Sequence, residues 1–121
     1  MQCTKKMDDW FCLNVGGIQF WTTCTTLKTK SSFFSGLVES ADLCDRCANI
    51  DRDPFHFRYI LNYLRGSKCV PSCVQDLKEL RAEADFYGLN GYVNIINAEL
   101  RQPLYDSAYQ LQCIRNSIPQ P

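Results

Sequence analysis

Two close pairs of cysteines, Cys44-x-x-Cys47 and Cys69-x-x-x-Cys73, are the residues of this chain whose types and spacing come nearest to a chemical site. Zn²⁺ takes thiolates tetrahedrally, so this spacing permits a structural zinc. The segment between the pairs argues against one. It reads as a helix over residues 54–65, whose rise would part the pairs by ~18 Å unless the fold turned back on itself. Zinc cysteines usually sit on tight turns, whereas Cys47 falls in a strand candidate and Cys73 at a helix start. A redox C-x-x-C normally accompanies a βαβ pattern, and none is present. Packing or surface thiols are the favoured reading, with a zinc or redox protein using Cys44, Cys47, Cys69 and Cys73 as the alternative. At a helix N-terminus, Cys73 is also a candidate for a thiol of lowered pKa.

His56 is the single histidine. Any cysteine–histidine catalytic pair would have to use it, yet it falls in the first turn of a helix between Phe55 and Phe57. A surface or half-buried helical histidine is the expectation. With no second acid or base at a telling spacing, no catalytic constellation emerges, so no enzyme and no cofactor is expected.

Those residues sit on a chain of 121 residues, long enough for one domain with its own core. Lysine plus arginine and aspartate plus glutamate are thirteen each, which leaves no basic field for nucleic acid. No apolar run approaches the ~18 residues of a membrane span. The opening "MQCTKKMDDWF" lacks the apolar stretch of a signal peptide, so a cytoplasmic chain with free thiols is expected.

The elements follow from periodicity. In "DWFCLNVGGIQFWTTC", Phe11, Leu13 and Val15 share one face before Gly16-Gly17, and Ile18, Phe20 and Thr22 share one after it. That pattern predicts strands over 10–15 and 18–23 joined by a hairpin. "SSFFSGLVES" (31–40) predicts a short helix with Ser31 or Ser32 as its cap, and "CANI" (47–50) a third strand. Asp53 is suited to N-cap a helix with Pro54 at its first position. Phe57, Ile60, Leu61 and Leu64 then form its apolar stripe, and Gly66 stops it. Ser72 and Gln75 have capping-box spacing for a helix running to Gly88, and a last helix is predicted over about 91–101. The outline is α+β. The organisation expected is a tail over 1–9, a domain over 10–102 and an extension over 103–121.

"LNVGGIQFWTTCTTL", "SSFF", "IDRDPFHFRYILNYLRGSK" and "LKELRAEADFYGL", in that order, resemble the BTB/T1 fold, and most closely the potassium-channel tetramerisation-domain (KCTD) proteins. The resemblance covers about residues 10–90. It implies a small, mainly N-terminal sheet packed with helices, and a module that assembles with itself into tetrameric or pentameric rings. Many members recruit a cullin-type ubiquitin ligase scaffold; in channel-type relatives the same domain serves self-assembly alone. Polar residues of the hairpin-and-strand face, here Asn14, Thr22, Thr23, Asp51, Arg52, Asp53 and Arg58, are the expected subunit contacts. Phe33 and Phe34 are the expected partner contacts, one of them being an alternative core residue. Several channel-type relatives hold a zinc between subunits through a Cys-Cys pair after "FYG". Here that region reads "LNGYVNIINAEL", with no cysteine or histidine, so that metal is not expected.

Overall fold

The computed structural model describes residues 9–40 and 46–102. Cys44, the tail before Asp9 and the extension over 103–121 lie outside them. Strands β1 (Trp10–Val15), β2 (Ile18–Thr23) and β3 (Cys47–Ile50) form one sheet in the order β2-β1-β3. Helices α1 (Cys24–Leu27) and α2 (Ser32–Ser40) lie between β2 and β3; α3 (Phe57–Leu64), α4 (Val74–Phe86) and α5 (Asn90–Leu100) follow. The fold is α+β, as expected. None of the described helices is long and apolar enough to cross a membrane.

The hairpin fixes the register of the sheet. Gly16 and Gly17 have φ of 57° and 98°, the left-handed values a two-residue strand-joining turn needs. Asn14 Oδ1 accepts from the Gly17 N–H at 2.9 Å and secures the turn. Gly16 carries a second constraint: its N–H donates to the Ile50 carbonyl at 2.9 Å. A Cβ there would stand 2.4 Å from the Arg52 carbonyl oxygen and 3.0 Å from Pro54 Cδ. The hairpin is thus pressed against the exit of β3, and only glycine fits.

Alternation then assigns the two faces. Phe11, Leu13 and Val15 of β1, with Ile50 of β3, point into the core, where α3, α4 and α5 add Phe57, Ile60, Leu77, Leu80, Tyr92 and Ile96. Tyr87, fully buried just after α4, is the hub. Its ring stacks on Phe34 at 5.0 Å and meets Phe57 and Phe33 edge-on at 5.4 Å. Its carbonyl accepts the Ser31 hydroxyl at 2.7 Å, while Ser31 Oγ accepts the Phe33 N–H at 3.1 Å. Ser31 therefore does the capping expected at the start of α2. It also ties that helix to the end of α4.

Local signals at helix starts required three corrections. Asp53 does not cap α3: its Oδ1 accepts from the Phe55 N–H at 3.0 Å, closing a turn of its own. The helix begins after His56, which offers no side-chain cap. Ser72 and Gln75 do not make a capping box either, since α4 starts after Cys73 and Gln75 Nε2 donates to Glu79 at 2.8 Å. The four-residue helix α1 had no clear periodic signal. Thr23 makes it, accepting from the Thr26 N–H at 3.1 Å. The stop at Gly66 holds: its N–H reaches the Tyr63 carbonyl and Ser67 N–H reaches Asn62, a Schellman closure.

Two stability outcomes follow. Gly16→Ala should cost about 2–4 kcal/mol in urea unfolding, through backbone strain and the clash with Arg52. Tyr87→Phe should be neutral or stabilise by up to about 1 kcal/mol in the same assay. The Tyr87 hydroxyl is buried with no hydrogen-bond partner among the described residues, so removing it relieves an unmet desolvation cost.

Candidate interaction surfaces

The expected contact residues are distributed by the strands and turns that carry them. Asn14 is half-buried and occupied by the hairpin turn. Thr23 is half-buried and caps α1, and Thr22 is buried, so its side chain packs within the subunit. Asp51, Asp53 and Arg58 are exposed. Phe34 is fully buried and is a core residue rather than a partner contact. The physical reason is the step of about 100° between neighbours on a helix, which turns Phe34 inward when Phe33 faces sideways. Phe33 remains half-buried, edge-on to Phe86 at 5.4 Å.

Arg52 is engaged inside the subunit. It donates from Nε to Glu83 Oε1 at 3.1 Å and from Nη2 to Oε2 at 2.8 Å, a two-pronged pair. Its guanidinium carbon lies 4.0 Å from the centroid of the Phe86 ring. Phe86 itself is 43% exposed, so Phe33, Phe86 and Arg52 form a continuous edge between α2 and the end of α4.

The other face of the sheet carries a feature that motif reading passed over. Strand alternation sends Trp10, Cys12 and Asn14 of β1 away from the core, together with Gln19 and Trp21 of β2 and Asn49 of β3. Trp10 is 51% exposed and Trp21 54%. They are diagonal neighbours across the β1–β2 pair, within mutual reach of one partner surface. Arg65, just past α3, donates to the Trp21 carbonyl at 2.9 Å and blunts the open edge of β2.

A family model described as BTB/POZ domain matches residues 11–95. The chain belongs to the BTB/POZ family.

Its curated relatives sharpen the assignment toward KCTD proteins. The human "BTB/POZ domain-containing adapter for CUL3-mediated RhoA degradation protein 2" is 37% identical over 106 residues, covering 84% of this chain and 33% of the relative. Human BTB/POZ domain-containing protein KCTD17 is 37% identical over 102 residues, 79% of this chain and 32% of the relative. The bovine protein KCTD5 is 33% identical over 132 residues, 95% of this chain and 56% of the relative. The chain thus spans about a third to about half the length of the relatives it matches. None of these names is that of an enzyme.

In this BTB/POZ chain Cys47, Cys69 and Cys73, the members of the two pairs among the described residues, do not come together as a metal-ligand group. Cys73 is disulfide-bonded, which removes it as a thiolate ligand and corrects the expectation of a reactive thiol there. Cys69 is exposed. Cys47 lies directly across the β1–β3 ladder from Cys12, and the two thiols are in contact. Burial, reinforced by that contact, pushes the Cys12 thiol up to about 11. His56 is buried rather than superficial, and stands just before α3 rather than within it.

Arg52→Ala should destabilise the domain by about 1–2 kcal/mol, losing a half-buried bidentate pair and a cation–π contact. A double-mutant cycle with Glu83→Gln should return a coupling of about 1 kcal/mol, and none if the pair is idle. Iodoacetamide at pH 8 should label Cys69 rapidly and Cys12 only on unfolding, as peptide mass mapping would show. Because the Cys12 pKa is raised by folding, its contribution is present below the unfolded value of 9.0 and is lost as pH climbs toward 11.

Proposed function

We propose that the domain is a self-assembling adaptor module, which forms a ring with copies of itself and recruits a cullin-type ubiquitin ligase scaffold. The observation that carries the reading is the open sheet face. Two half-exposed tryptophans stand there as diagonal neighbours across the β1–β2 pair, above the buried Cys12. Indoles on a flat, rigid strand pair lose little conformational entropy on burial and are frequent anchors of protein interfaces. A ring requires two different faces per subunit, one meeting the other in head-to-tail sequence. The tryptophan face supplies one. The exposed charges Asp51, Asp53 and Arg58, beyond β3, are suited to the rim of such a contact, where complementarity fixes register.

The scaffold contact is assigned to the Phe33–Phe86 edge, which replaces the Phe33–Phe34 pair as the candidate. The adaptor role is supported by the relative named as a CUL3 adapter. The domain boundaries proposed are 10–102, slightly wider than the matched 11–95.

Trp21→Lys should lower the particle mass in light scattering while leaving the far-ultraviolet circular dichroism unchanged, because Trp21 adds little to the core. Phe86→Ser should keep the assembly yet reduce capture of a cullin N-terminal region at least tenfold in a pull-down. Assembly without any cullin capture by the unaltered chain would reject the adaptor role and leave self-assembly as the whole function.

A further inference from the structure

His56, Asp76 and Glu79 bring three metal-ligating atoms within 4.8 Å of one another. We propose that they form a binding site for one divalent transition-metal cation of the zinc class. The histidine Nε2 lies 2.9 Å from Glu79 Oε1 and 3.9 Å from Asp76 Oδ1. Asp76 and Glu79 are three residues apart on α4, so both carboxylates project from one face toward the ring.

A proton does not satisfy this arrangement. One Nε2–H serves one acceptor, and it goes to Glu79; the Asp76 oxygen at 3.9 Å is beyond hydrogen-bond range. Asp76 has no other ion pair or hydrogen bond among the described residues. Two like charges one turn apart on a helix repel, and a cation between them relieves that repulsion. A metal at ~2.0–2.2 Å from each donor meets all three at once, with small side-chain movements.

The surroundings are those of a ligand site. The imidazole is 5% exposed and its ring is held edge-on against Phe55 at 4.6 Å, so it is already oriented. Glu79 Oε2 accepts from Gln75 Nε2 at 2.8 Å, an outer contact that aims the other oxygen at the histidine. The carboxylates are 38% and 48% exposed. His56 and Glu79 border a hollow of about 230 Å³ that Asp53, Ala82 and Glu83 also line, leaving room for water as further ligand. One imidazole and two carboxylates suit zinc, cobalt or nickel, borderline ions, better than calcium, which wants oxygen alone.

Cobalt(II) is the probe of choice, because the thiols of this chain would compete for zinc invisibly. Titration of the full chain should give one equivalent of Co²⁺ with visible d–d absorption and no thiolate-to-cobalt charge-transfer band. His56→Asn should weaken that binding at least tenfold, and so should Glu79→Gln and Asp76→Asn, whose half-exposed positions leave the fold intact by circular dichroism. A charge-transfer band, binding that all three substitutions leave unchanged, or no saturable binding below millimolar Co²⁺ would each overturn the site. None of these readouts depends on assembly or on cullin capture.

Discussion

The domain depends on one buried ring. Tyr87 is the place where α2, the start of α3 and the end of α4 meet, through Phe34, Phe57 and its own stacked and edge-on contacts. Aromatic groups brought together from positions 33 to 87 close long loops, and only burial of large apolar area offsets that cost. The carbonyl of the same residue holds the Ser31 hydroxyl, so packing and capping are set by one residue. With Phe34 committed there, the outer part of this aromatic group, Phe33 and Phe86, is what reaches solvent.

A second constraint places the surfaces relative to that core. Gly16 lets the hairpin lie against the backbone of Arg52, and Arg52 in turn reaches Glu83 on α4. Hairpin, β3 exit and α4 are therefore joined in series by one backbone contact and one ion pair. This chain of contacts ties the sheet that carries the tryptophans to the helix that carries Phe86. The surface proposed for contact between subunits and the edge proposed for the scaffold are thus held apart by the same contacts.

Much of this was legible in the sequence. Period-two alternation around Gly16-Gly17 located both hairpin strands to the residue, and the Phe57–Leu64 stripe located the core face of α3. The ordered blocks from "LNVGG" to "DFYGL" carried the family. Helix starts were less legible, because a capping residue satisfies whichever nearby N–H the chain presents; Asp53 found Phe55, and Gln75 found Glu79. Contact residues were the least legible. Polar type drew attention to Thr22 and Arg52, whose groups are consumed within the subunit, while the same alternation that found the strands already put Trp10 and Trp21 on the outer face. The cysteine pairs drew the eye by spacing alone, and spacing says nothing of which way a strand or helix turns a thiol.

For the proposed assembly, the open sheet face must be closed by another copy of the chain. Native mass spectrometry of the unaltered protein, sprayed over a dilution series at near-neutral pH, tests it most directly. A single closed species of four or five identical subunits that persists on dilution into the low micromolar range is the expected result. A monomer throughout that range, with both tryptophans retaining the fluorescence of solvent-exposed indole, would contradict it.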